Sequence, residues 1–116
     1  MQSLNAATFD SFLAQREVAV ILLFTPAEDT YLRAQPVLED LERGFAGVSF
    51  GLINGDEPSF ALDFFEARDF PRSPATLYYQ HGVRVQISIG IGYAEIYRLQ
   101  VVRTLERLLK ASSGGK

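Results

Sequence analysis

The order of apolar runs and turn signals in this 116-residue chain predicts an α/β fold, a mixed sheet sandwiched by helices. Three observations predict it. Val18 to Phe24 is a continuous run of apolar, often branched residues, the signature of a strand buried on both faces. A long helical pattern and a second strand follow, so these two strands run parallel with a right-handed crossover. Two further strand-like segments flank His81-Gly82, the composition of a hairpin turn, which makes the last pair antiparallel.

The elements follow in chain order. Thr8 is placed to cap a short helix over about 9–16, with Phe9, Phe12 and Leu13 on one face. The strand at Val18–Phe24 ends in a Thr25-Pro26 break. A helix is expected over about 29–45, with Leu32, Val37, Leu38 and Leu41 inward. Pro36 falls inside it, where a missing backbone donor favours a kink, and Gly44 and Gly47 close the segment. Val48 to Ile53 reads as the second strand, and Asn54-Gly55-Asp56 as a turn. Pro58 suits the first turn of a helix over about 59–69, whose Phe60, Phe64, Phe65 and Phe70 form an aromatic stripe that reads as core packing. Arg72-Ser73-Pro74 interrupts the chain. Ala75–Tyr79 and Val83–Ile89 are the hairpin strands. A last helix is expected over about 94–111, with Leu99, Val102, Leu105 and Leu109 inward, and residues 112–116 read as a flexible tail. The chain is therefore expected to be one domain, residues 1–111, plus that tail.

Composition narrows the chemistry. A chain of this length can bury about two-thirds of its unfolded surface without a metal or disulfide. There is no cysteine, which removes disulfides, cysteine-ligated zinc and a cysteine nucleophile. The formal net charge of −3 argues against nucleic acid as a partner. Met1 to Ala7 lacks the pattern of a signal peptide, and the longest apolar run is far too short to span a bilayer, so a cytoplasmic location without a membrane span is expected. His81, the one histidine, reads as a solvated turn residue. It has no companions at metal-ligand spacing, so neither a metal nor another cofactor is expected. Gly90 and Gly92 lack the third glycine and later acid of a dinucleotide fingerprint. Of Tyr78 and Tyr79, adjacent on a strand, one must face each side of the sheet. Tyr93 and Tyr97 are the other members of a possible aromatic surface.

The order of elements, the proline at Pro36, Ser73-Pro74 before Ala75-Thr76-Leu77-Tyr78-Tyr79 and His81-Gly82, and the glycine at Gly90 together resemble the thioredoxin fold over nearly the whole chain. The resemblance implies a three-layer α/β/α sandwich and a cis Ser73-Pro74 bond. It also implies a redox-motif position at Glu28-Asp29-Thr30-Tyr31, counted back from Pro36. Gly90 would let the chain pass close to that surface. Thiol–disulfide exchange needs an attacking thiolate and a second sulfur, and this position supplies neither. By the same resemblance, the buried acid of thioredoxins falls at Leu22 and its lysine neighbour at Gly51. No enzymatic activity is therefore expected. Asp29 has a plain alternative role as a helix cap.

A narrower resemblance rests on Pro74-Ala75-Thr76-Leu77, and on Gly90-Ile91 followed by Ala94-Glu95 and Leu99. These strings are similar to the hydrogenase expression/formation (HyaE/HupG/HoxO) family, whose members are thioredoxin-like without the cysteine pair. That resemblance implies a chaperone that recognises a hydrogenase small-subunit precursor bearing a twin-arginine signal. The expected binding surface is the former redox face: Pro26, Ala27, Glu28, Asp29, Thr30, Tyr31, Ser73, Pro74, Ala75, Gly90, Ile91 and Gly92. The chain before a cis-proline offers backbone groups to an extended peptide, and Glu28 and Asp29 can attract arginines. The alternative expectation is a redox-inactive scaffold, a homodimer or a subunit of some other complex.

Overall fold

The apolar run Val18–Phe24 forms a central strand with parallel and antiparallel neighbours on its two sides. The computed structural model describes residues 1–114. Its elements are β1 (Gln2–Ser3), α1 (Phe9–Leu13), β2 (Val18–Phe24), α2 (Tyr31–Gly44), β3 (Val48–Asn54), α3 (Leu62–Ala67), β4 (Ala75–Gln80), β5 (Val83–Ile89) and α4 (Ala94–Gly114). The five-stranded sheet has the order β1-β3-β2-β4-β5. β1, β3 and β2 run parallel, while β4 and β5 are antiparallel to their neighbours. The mixed sheet and the parallel β2–β3 pair are those the sequence predicts. β1 is an addition, since two polar, exposed residues carry no periodic signal.

Alternation along β2 splits the core in two. Val20 and Leu22 join Phe50 and Leu52 of β3 under α2 and α4. Ala19, Ile21 and Leu23 join Phe9, Phe12 and Phe60 under α1 and α3. The phenylalanine stripe packs as core: Phe60 is buried, and Phe64, Phe65 and Phe70 surround it in edge and tilted contacts. Tyr78 and Tyr79 are both buried, one in each layer.

Several boundaries and faces differ from expectation. α1 ends three residues early, and Thr8 does not cap it. Its hydroxyl instead accepts from the Asn5 N–H at 3.0 Å, while Asn5 Oδ1 accepts from the Thr8 N–H. α2 begins at Tyr31 rather than near Asp29, because residues 25–30 form turns, with the Glu28 N–H bonded to the Thr25 carbonyl. α3 begins at Leu62, after a turn closed by the Phe60 N–H on the Glu57 carbonyl. α2 buries Ala34, Val37, Leu38 and Leu41, a helical i, i+3, i+4, i+7 series that leaves Leu32 on the opposite side, 57% exposed. α4 buries Tyr97, Val101, Thr104, Leu105 and Leu108, so Leu105 is inward as expected. Leu99 is exposed, and Val102 and Leu109 are only half-buried. α4 also runs on to Gly114, through most of the expected tail, and residues 115 and 116 lie outside the described residues.

Candidate functional site

Three loops meet at the carboxyl end of β2. The first, residues 25–30, leads from β2 into α2. The second, residues 71–74, leads into β4 and contains the cis Ser73-Pro74 bond that the resemblance implies. The third, residues 90–93, joins β5 to α4. Hydrogen bonds tie them together. The Ser73 hydroxyl donates to Glu28 Oε1 at 2.9 Å, and the Thr25 hydroxyl donates to the same oxygen at 2.8 Å. The Gly90 N–H donates to the Pro74 carbonyl at 2.8 Å. Arg33, in the first turns of α2, donates to the Gly92 carbonyl at 2.9 Å. All three segments singled out from the sequence are thus brought to one place. Arg33, which does much of the joining, was missed, because its partner is a backbone carbonyl 59 residues away in the chain.

The members of this face do different things. Pro26, Ala27, Glu28, Asp29 and Gly92 are exposed, and Thr30, Tyr31, Ser73, Pro74 and Gly90 are half-buried. Ala75 and Ile91 are buried and support the face from beneath. Tyr31 stacks on Phe24 with ring centroids 4.4 Å apart. Asp29 does not cap α2. Thr30 holds the cap position without a side-chain bond, and its hydroxyl oxygen is buried with no hydrogen-bond partner among the described residues. Gly90 has φ of +75°, the left-handed region that favours glycine, but a Cβ added there would meet nothing within 4 Å. Backbone conformation, not close passage, is its reason. Beside Ser73 lies a pocket of about 200 Å³ lined by Leu23, Thr25, Gly55, Phe65, Pro71 and Ser73. A larger open depression of about 480 Å³ lies at the other end of β2, between α1 and the His81-Gly82 turn, and touches none of these loops.

The electrostatics of the face centre on Glu28. The Thr25 hydroxyl and then the Ser73 hydroxyl hold its carboxyl below the usual range against an opposing desolvation, and the charge of Arg72 adds a lesser pull in the same direction as the hydroxyls. Glu28 is therefore an ionised carboxylate fixed in direction by two donors. Just inside, the Thr76 hydroxyl and the Tyr97 phenol form a buried 2.7 Å hydrogen bond. Burial raises the Tyr97 pKa to about 12 despite that bond, so the phenol stays neutral at physiological pH.

The fold is shared with solved structures. Mitochondrial thioredoxin 3 from Saccharomyces cerevisiae is similar over 93% of this chain and 95% of its own, with a TM-score of 0.75 and 20% identity. The thioredoxin of Fasciola hepatica is similar over 93% and 99%, with a TM-score of 0.75 and 17% identity. That of Plasmodium falciparum is similar over 85% and 95%, with a TM-score of 0.71 and 20% identity. The chain has a thioredoxin-like fold. No family model and no curated protein matches it.

Within this thioredoxin-like fold the segment that the resemblance assigns to the redox motif, Glu28-Asp29-Thr30-Tyr31, carries two carboxylates and no sulfur. Leu22 is fully buried in an apolar layer with no acid beside it. The expected lysine position, Gly51, does not face Leu22. Gly51 pairs with Ile21 and faces α1, where its missing side chain makes room for Phe12: a Cβ would lie 2.8 Å from Phe12 Cζ. The β3 residue beside Leu22 on the same face is Leu52. Gly51 and Leu22 thus lie on opposite faces of the sheet, since one residue along a strand changes the face. Either way the position is apolar or empty. Among the described residues no group of three or more metal-ligating side chains gathers, and no helix is long and apolar enough to cross a membrane.

Proposed function

We propose that this thioredoxin-like domain is a non-catalytic polypeptide-binding module, and that its partner is a hydrogenase small-subunit precursor bearing a twin-arginine signal. One observation carries the reading: where the fold has a reactive position, this chain has Glu28, ionised and held by Thr25 and Ser73 against the cis-proline loop. A carboxylate there cannot attack a disulfide, but it is pre-aimed to accept a guanidinium. Asp29 doubles the charge at the rim. The chain entering β4 offers backbone groups to an extended segment, and the adjacent pocket fits an apolar side chain. In this reading the protein is not an enzyme and meets its precursor in the cytoplasm, before export. The hydrogenase assignment draws on the similarity of the Pro74–Leu77 and Gly90–Leu99 strings.

The test is binding of the full chain to a synthetic twin-arginine signal peptide from a hydrogenase small subunit. Binding is expected, with loss on Glu28→Lys combined with Asp29→Lys, and equal loss when the paired arginines of the peptide become glutamine. Retention of binding through both changes overturns the acidic rim as reader. Absence of binding favours a redox-inactive scaffold. Insulin reduction by the purified chain should be blank, and turnover there would overturn the non-catalytic reading.

A further inference from the structure

The two edges of the sheet are managed differently. The β1 edge consists of two residues, Gln2 and Ser3, and shortness alone protects it. The β5 edge is seven residues long and has no neighbouring strand on its outer side among the described residues. Its sequence, Val83-Arg84-Val85-Gln86-Ile87-Ser88-Ile89, contains no proline, lysine or acid to discourage strand addition, and its one irregularity is a register shift at Val85 that leaves Gln86 to Ile89 in regular pairing. Val83 and Ile89 are each 64% exposed, and Val85 and Ile87 are exposed as well. Outward backbone groups and branched apolar side chains thus form a ready template for one more strand.

Register gives that template two distinct faces. Ile87 and Ile89 pair with Leu77 and Ala75, so they lie on the α1/α3 face of the sheet. Gln86 and Ser88 pair with Tyr78 and Thr76, so they lie on the α4 face. There Gln86 donates to Thr104 and accepts from Arg107. Helical spacing puts Ile96, Gln100, Arg103 and Arg107 on one side of α4, and the Arg107 bond shows that this side flanks β5. Arg103 and Arg107 are exposed, and neither forms an ion pair among the described residues. Arg84 is engaged elsewhere, donating to the Asp69 carbonyl beside the Phe70 ring. Over residues 86–89 the edge is therefore apolar on the α1/α3 face and flanked by arginines on the α4 face, whereas Arg84, paired with Tyr79, lies on the α1/α3 face.

That asymmetry selects the occupant. A second copy pairing by two-fold symmetry would bring the same arginine-bearing side of α4 against itself. A strand carrying carboxylates on that face would meet both arginines favourably. We propose that the outer edge of β5 docks an extended acidic segment of a partner polypeptide as a sixth strand. Its alternate side chains are apolar beside Ile87 and Ile89, and the intervening ones are carboxylates facing Arg103 and Arg107. This surface is separate from the Glu28 rim and does not depend on the function proposed for that rim.

The probe is an eight-residue blocked peptide of alternating valine and glutamate, titrated into the full isotope-labelled chain, with a valine–lysine peptide as its counterpart. The acidic peptide is expected to shift the amides of residues 83–89 and of Arg103 and Arg107, and to leave those of residues 26–31 in place. Arg103→Glu with Arg107→Glu should weaken it by about tenfold or more, two exposed charge pairs being lost. Ile87→Lys should abolish the β5 shifts while the remaining spectrum reports an intact fold. Equal binding of both peptides, binding of neither, or shifts confined to residues 26–31 would overturn the proposal. So would β5 shifts that follow protein concentration alone, the mark of a second copy.

Discussion

At the carboxyl end of β2 the molecule presents carboxylates on loops, whereas along β5 it presents branched apolar side chains on a regular strand flanked by arginines. The first surface is held by hydroxyl and backbone hydrogen bonds between three loops. The second is held by the sheet ladder and by Gln86 on α4. Their opposite charge means they suit different partners, so a single polypeptide would engage both only if it were itself asymmetric in charge. Yet both hang from β4: Pro74 precedes it, and β5 pairs with it from Ala75 to Gln80, with one register shift at Val85. The difference between the surfaces is one of surface chemistry, while their foundation is shared.

The largest expected effect separates the β5 apolar residues from the core they adjoin. Leu77 and Ile87 are cross-strand partners, but Leu77 is fully buried and Ile87 is 40% exposed. Leu77→Ala should cost about 2–5 kcal/mol, a cavity in a packed layer. Ile87→Ala should cost under about 1 kcal/mol, measured by urea denaturation of both. Similar losses at the two positions would mean that the β5 face belongs to the core and is not free for contact.

A smaller effect tests the shared foundation. Tyr97→Phe leaves the Thr76 hydroxyl buried without its partner, which should destabilise the chain by about 1–3 kcal/mol. Adding Thr76→Val removes both polar partners and should recover much of that loss. Amide exchange should quicken together near Ala75 and along β5. Acceleration on one side alone would show that the two surfaces are not joined through β4.

The two regions were also unequally legible in the sequence. The loop face is indexed by residues with special backbone behaviour: Pro36, Pro74 and Gly90 locate it by counting, and the structure brings the three segments together through Glu28, Ser73, Pro74 and Gly90. What counting missed depends on direction. Gly51 proved to face α1, and Leu52 is the residue beside Leu22. Leu32 and Leu99 read as inward because they are leucines at near-helical spacing, but the true faces follow Ala34 and Tyr97, residues a hydrophobic pattern ranks lower. β5 was found as a strand to the residue. Its exposure was not, since an alternating pattern does not say which face is covered, and only the edge position in the sheet decides that.

The smallest effect concerns the loop face alone. Glu28 is fully exposed, so its lowered pKa arises from the donors that hold it and not from burial. Thr25 is the larger cause and Ser73 the next. Because the folded carboxyl titrates below its unfolded counterpart, its contribution to stability is present above the unfolded pKa and is lost as pH falls through the folded value. The carboxyl carbon of Glu28, followed by NMR in acid, should therefore titrate below the ordinary glutamate value. Thr25→Val should move its midpoint up, Ser73→Ala should move it less, and the two together should return it to the ordinary range. Neither change should shift the amides of β5. A midpoint that ignores both substitutions would mean that the carboxylate is not held by these hydroxyls in solution. The acidic rim would then be a freely rotating charge, no more directed toward a guanidinium than its neighbour Asp29.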